Sequence, residues 1–232
     1  MTGPGGDLAQ QSEEFGQEMA GLLTATLPGL PFPPLEIVAY RTKTVIRPPA
    51  RPERLPLYIK GIELASLELS VACQIDSFGQ WLAVERSTYG LYAKVDRAPV
   101  LRIDYRHDMH TVPSAHVQVH GHRGALSHLL SQADHATPHD MAALHIPVGG
   151  ARFRPCLEDF IQFLIAECKF DSKRQWRRHV EAGRERWRLR QAGAVARDLP
   201  EVAATELRSL GYEVTGPVTP IPERSPKVLR HW

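Results

Sequence analysis

Leu101-Arg-Ile-Asp-Tyr-Arg106 and His116-Val-Gln-Val-His-Gly-His122 decide the fold, with His107–Ala115 as the connection between them. Successive side chains of an extended chain point to opposite faces. Leu101, Ile103 and Tyr105 therefore share one face, and Arg102, Asp104 and Arg106 the other. In the second stretch His116, Gln118, His120 and His122 lie opposite Val117 and Val119. Paired with apolar faces together, the two strands predict a ribbon with one face for a core and one covered by Arg, Asp and His. Tyr92, Lys94 and Asp96 of the preceding strand would extend that polar face. Register decides the matter, because a slip of one residue would turn the histidines inward.

Working outward, the chain from Leu35 to His122 reads as strand-rich. Leu35–Ile46 is extended and β-branched, and 47–56 (RPPARPERLP) is a proline-rich connection. Leu57–Ile62, Leu67–Ile75, Trp81–Arg86, Gly90–Asp96, Leu101–Arg106 and His116–His122 follow at close intervals, as an antiparallel meander requires. Before them, Ser12 is placed as an N-cap for a helix running to Leu27, after a flexible lead over residues 1–11. After them the pattern turns helical: Gly124–Ala133, then, beyond a short extended piece at Leu144–Val148, Pro155–Cys168, a basic helix over Ser172–Arg190, and Pro200–Leu210. Pro155 and Pro200 suit a first helical turn and Gly211 a C-terminal stop. Strands first and helices afterwards predict an α+β fold, an antiparallel meander followed by C-terminal helices. The expected organisation is a core domain over 12–170, a basic helical extension packed on it over 171–212, and an irregular proline-rich tail over 213–232.

Composition narrows the classes. A hydrophobic fraction of 43 % supports a real core, and a formal charge of +2 excludes a uniformly basic coat. Any nucleic-acid surface must then be local. Arginine outnumbers lysine 22 to 6, which suits bidentate contacts but also follows from GC-rich coding. Cys73, Cys156 and Cys168 form no Cys-x-x-Cys pair and read as small buried residues in a reducing compartment. With neither a signal-peptide pattern nor an apolar run of membrane length, a cytoplasmic, non-membrane protein is expected.

Nine of eleven histidines fall between His107 and His145, and histidine is the side chain that ligates metals or exchanges protons near neutral pH. Two chemistries fit. In the first, zinc or another divalent transition metal is held by His120 and His122, about 6 to 7 Å apart along a strand, with His107, His110, Asp104 or His145 completing the set. In the second no metal takes part. His116 or His120 is a general base, His107 or His110 the acid, and Arg102 or Arg106 the clamp on a phosphorane-like transition state. The bland alternative is that these histidines cap loops and pair with nearby aspartates.

Two further constellations point to anions. Gly149-Gly150 with Arg152 and Arg154 precedes a helix, where backbone N–H groups and two guanidinium groups would hold a phosphate or carboxylate; arginines paired to Glu158 and Asp159 are the plainer reading. Arg174, Arg177, Arg178, Arg184 and Arg188 on the basic helix could follow a nucleic-acid backbone or form a solvated face laced by i,i+4 pairs.

The segment from Leu101 to His122 resembles small bacterial toxins of two-gene toxin–antitoxin modules, which carry Arg-x-Asp-Tyr/Asn before a His-x-His strand. Gln118 interrupts that spacing after His116, and this chain is much longer than such toxins. The block from Leu144 to Phe160 (LHIPVGGARFRPCLEDF) resembles uncharacterised actinobacterial proteins. The expected function is action on, or binding of, an RNA or nucleotide through the His/Arg face. The alternative is a non-enzymatic protein that binds a nucleic acid or a regulatory protein through its basic helix.

Overall fold

Alternation along three long strands builds the sheet. The computed structural model describes residues 7–51, 53–109, 112–132, 136–143, 145–148 and 152–217. On β4 (Ile62–Ile75) Ala65, Leu67, Leu69, Val71 and Cys73 are buried at every second position. On β5 (Leu82–Ala93) Ser87, Tyr89 and Leu91 stand opposite Val71, Leu69 and Leu67. On β6 (Pro99–Arg106) Tyr105, Ile103 and Leu101 continue the same rows. One face of three strands is thereby apolar, as the period of two dictates.

The remaining strands are β1 (Glu36–Ala39), β2 (Thr44–Arg47), β3 (Leu55–Ile59), β7 (Ala115–Val119) and β8 (Ile146–Pro147). All pairings are antiparallel, in the order β1-β2-β4-β5-β6-β7-β8, with β3 beside the first half of β4. Three helices cover the apolar face: α1 (Leu8–Thr26), α3 (Leu157–Ala166) and α4 (Trp176–Asp198). Leu23 of α1, Phe160 and Leu164 of α3 and Val180 of α4 join the strand residues in one core. Phe160 stacks on Tyr89 with ring centroids 5.9 Å apart. Each such fully buried side chain contributes about 1.5–3 kcal/mol. Two more helices, α2 (Gly124–Gln132) and α5 (Pro200–Ser209), lie outside this layer. The fold is α+β, a meander-like antiparallel sheet between an N-terminal helix and C-terminal helices.

Several expected boundaries shift. Asp7 caps α1, its carboxylate accepting from the Gln10 N–H at 2.8 Å, and Ser12 is buried within the helix. Leu8-Ala-Gln-Gln11 are good helix formers, so the helix extends back to the earlier cap. Leu35–Ile46 is no single strand but the β1–β2 hairpin, closed by Tyr40 N–H donating to the Lys43 carbonyl at 2.8 Å. Trp81–Arg86 and Gly90–Asp96 are two halves of β5, whose Ser87, Thr88 and Tyr89 pair on both sides. The basic helix runs on to Asp198. Gly211 closes α5 as expected, at φ +89°, with the Tyr212 N–H reaching back to the Leu207 carbonyl. The expected flexible lead is described only from Asp7, and the tail beyond Pro217 lies outside the described residues.

Candidate functional site

The β6–β7 register sets Asp104 against His116 and Arg102 against Gln118. This is the pairing that gathers the polar side chains on the face away from the helices. Thr88 of β5 stands opposite Asp104 on the other side. Its hydroxyl donates to Asp104 Oδ1 at 2.7 Å, and Arg102 Nη2 donates to the same oxygen at 3.0 Å. Asp104 is buried, so an ionised carboxylate there depends on these two donors. The neighbouring row carries Glu68, Gly90 and Arg102. A Cβ on Gly90 would stand 2.8 Å from Glu68 Oε2, so the glycine opens the space that the Glu68 carboxylate occupies. Tyr92 donates to that carboxylate at 2.8 Å, and the Arg54 guanidinium lies 3.5 Å from the centre of the Tyr92 ring. Burial, followed by the bond to Glu68, raises the Tyr92 pKa.

His116 is buried and its tautomer is set by the backbone. Nδ1 lies 2.8 Å from the Pro113 carbonyl oxygen, which only accepts, so Nδ1 carries the proton and Nε2 the lone pair of the neutral ring. The His145 ring packs edge-on against it, centroids 4.6 Å apart. His145 arrives from the segment just before β8, where Pro147 and Ile146 pair with His116 and Val117. Gln118 Nε2 holds the segment, donating to the Ala142 carbonyl at 2.9 Å and lying 3.3 Å from His145 Nε2. Burial and the neighbouring His116 lower the pKa of His145, against the opposing influence of Asp104 and a bond to the Ala143 backbone. Two imidazoles in edge-on contact thus sit beside a carboxylate and a guanidinium.

The other expected site residues divide. His107 is not brought to His116. It is exposed beyond β6, and its Nδ1 lies 3.5 Å from the hydroxyl of Tyr105, a residue of the helix-covered face. Arg106 shares the polar face but pairs with Asp108, which Arg86 also contacts at 3.4 Å. His120 follows the last residue of β7; its N–H donates to the Val100 carbonyl, and its buried Nε2 has no partner among the described residues. His122 is exposed near Ser127 and 6.5 Å from the His139 ring. His120 and His122 therefore lie beyond β7 and not along it. Among the described residues no three His, Cys, Asp or Glu side chains are grouped to hold an ion. His110 lies outside the described residues.

The expected anion loop is arranged differently. Gly149 and Gly150 lie outside the described residues. Arg152 makes a bidentate pair with Asp198 at 2.7 and 3.1 Å, fastening its segment to the end of α4. Arg154 is turned into the helix–sheet interface, 4.0 Å from the centre of the Tyr105 ring and 4.9 Å from that of Trp187. Burial lowers its pKa, and the flanking π-faces favour a cation there. The N-terminus of α3 is occupied by its own Asp159, which accepts from the Cys156 N–H at 3.2 Å. Neither Glu158 nor Asp159 pairs with Arg152; Asp159 takes Arg184 Nε at 2.7 Å instead.

On α4, Arg184 is held by that bond and by Gln162 at 2.6 Å, and Arg177 lies over the Trp176 ring at 4.5 Å. Arg174, Arg178 and Arg188 remain exposed. Burial raises the pKa of Cys73 to about 12 and that of Cys156 also upward, which leaves both thiols inert at neutral pH.

Comparison with known proteins finds no matching family, no matching curated relative and no matching solved structure. No helix among the described residues is long and apolar enough to cross a membrane. Sequence reasoning missed Thr88, because Ser87-Thr-Tyr89 falls between the expected strands Trp81–Arg86 and Gly90–Asp96. It also missed the pairing of His145 with His116, since His145 was placed only as a metal ligand. The alternation of Ser87, Tyr89 and Leu91 against Arg86, Thr88 and Gly90 was the available signal for Thr88.

Proposed function

We propose that the polar face centred on His116 binds and cleaves a phosphodiester, with RNA as the substrate class. The observation that carries this reading is the His116–His145 contact at 4.6 Å, with the His116 tautomer set by Pro113 and with Asp104 and Arg102 alongside. His116 Nε2 would take the proton of a ribose 2′-hydroxyl as its oxygen attacks phosphorus. His145 in its protonated form, which its lowered pKa confines to the acid side of the pH profile, would give a proton to the departing 5′-oxygen as the P–O5′ bond breaks, leaving a 2′,3′-cyclic phosphate. Arg102 would bear on the charge that develops on the non-bridging oxygens. The resemblance of the Leu101–His122 segment to toxin–antitoxin toxins supports RNA over a free nucleotide. His145 takes the acid role that the sequence offered to His107 or His110.

The test is cleavage of a labelled RNA oligonucleotide by the full chain across pH 5 to 8, with and without added zinc. Cleavage to a cyclic phosphate is expected, with none on the 2′-deoxy analogue. His116→Ala should lower the rate about a hundred- to ten-thousand-fold while the protein stays folded. An inactive wild type at every pH and metal condition sinks the proposal.

A second reading, a non-enzymatic partner protein, draws on the exposure of Arg178 and Arg188 on α4 and of Arg174 just before it, outside the helix to which the sequence assigned it. Retained RNA binding in His116→Ala, lost on replacing those three arginines, would favour it.

A further inference from the structure

Among the described residues, the outer side of α4 is exposed over several turns. Trp176, Val180, Gly183 and Ala194 turn inward. Glu181, Ala182, Glu185, Arg188, Leu189 and Ala192 are exposed on the other side, Leu189 at 65 %. Together with Arg184, most of these line a shallow open recess of about 440 Å³.

Charge alternates along the recess as Glu181, Arg184, Glu185, Arg188. Two carboxylates among the arginines oppose a phosphate backbone, which wants an uninterrupted basic track. Read in reverse, Glu-Arg-Glu-Arg becomes Arg-Glu-Arg-Glu, so the pattern is its own complement. Such a surface is matched by an identical one turned end for end, the isologous contact of a two-fold dimer.

We propose that two copies of this chain associate through antiparallel α4 helices, about a two-fold axis passing between Arg184 and Glu185. That axis sets Glu181 of each copy against Arg188 of the other, twice by symmetry. Arg184 donates to Asp159 and Gln162 within its own chain, so the outer Glu181–Arg188 pairs carry most of the recognition. One helix face over about two turns falls short of the roughly 1,200 Å² of a standard stable interface. The association is therefore weak, concentration-dependent and sensitive to salt.

Sedimentation velocity on the full chain, from about 10 μM to about 1 mM at low ionic strength, tests it. The wild type should pass from monomer to dimer over that range and return to monomer in high salt. Arg188→Glu should weaken association about tenfold or more, and the swap of Glu181→Arg with Arg188→Glu should restore it. Circular dichroism and melting establish that each variant is folded. A wild type that stays monomeric at low salt overturns the proposal, as does a folded swap variant that stays dissociated. An Arg188→Glu variant that loses RNA binding with self-association unchanged assigns the arginine to nucleic acid and overturns it equally.

Discussion

The two faces of the β4–β6 sheet come from the same strands and are held in different ways. Beneath α1, α3 and α4 the sheet presents Leu67, Leu69, Val71, Tyr89 and Leu91, all buried against other carbon. On the reverse face the intervening residues include Glu68, Ser70, Thr88, Arg102 and Asp104, of which Thr88 and Arg102 bond to Asp104, while Glu68 accepts from Tyr92. Packing on the first face is non-directional and tolerates modest change of shape at fixed volume. The second depends on matched donors and acceptors, where a missing partner leaves a half-buried charge exposed to a poor environment. The helix-covered face should then dominate stability, and the reverse face should dominate any chemistry.

The sharpest way to break that comparison is at Phe160, which is buried and stacked on Tyr89. Phe160→Ala should lower unfolding free energy by about 3–5 kcal/mol in urea titration. Its effect on ligand binding at the far face should be small in molecules that remain folded. A loss under about 1 kcal/mol would mean that the helix layer contributes little to the core.

At Asp104 the expected effect on stability is smaller and the effect on function larger. Asp104→Asn keeps an acceptor for the Thr88 hydroxyl but removes the charge that Arg102 meets at 3.0 Å. A cost of about 1–2 kcal/mol is expected in the same titration. The freed Arg102 and the altered field at His145 should shift the pH profile of RNA cleavage, which a merely structural role would leave in place. An unchanged profile with full activity would separate Asp104 from the site.

The apolar face was legible in the sequence because alternation is a local signal, visible in Leu67–Cys73 and in Leu101–Tyr105 without knowledge of partners. The shared polar face of the β6 and β7 residues was legible on the condition of their register, which sequence left open; the register that sets Asp104 against His116 came from the structure. What failed depended on distant segments. Arg152 meets Asp198, 46 residues away along the chain, and no periodicity announces such a pair. Arg154 was read as a surface donor because arginine beside glycine suggests a loop, whereas the rings of Tyr105 and Trp187 take it into the interior. The histidines after Val119 were assigned to a strand that stops earlier, so the spacing used to converge His120 and His122 on one ion does not apply to them.

The smallest effect concerns acid. Burial and the adjacent His116 make His145 harder to protonate in the folded protein than in the unfolded chain. Between the lowered value and the ordinary one of about 6.5, the unfolded chain therefore holds more protons, and stability rises with pH across that interval. As pH falls from neutrality, the native state loses this advantage progressively, and the loss is complete once His145 is protonated in both states. His116 and Asp104 face the same ring, and the Asp104 charge works in the opposite direction. His145→Gln, which keeps a polar group within reach of Gln118, should remove this component and flatten the acid side of the stability profile relative to wild type. The comparison is made by urea titration at pH 7.5 and at intervals below 6.5, with both proteins in the same buffers. Parallel profiles would show that His145 titrates alike in both states, and so that the polar face does not hold it neutral.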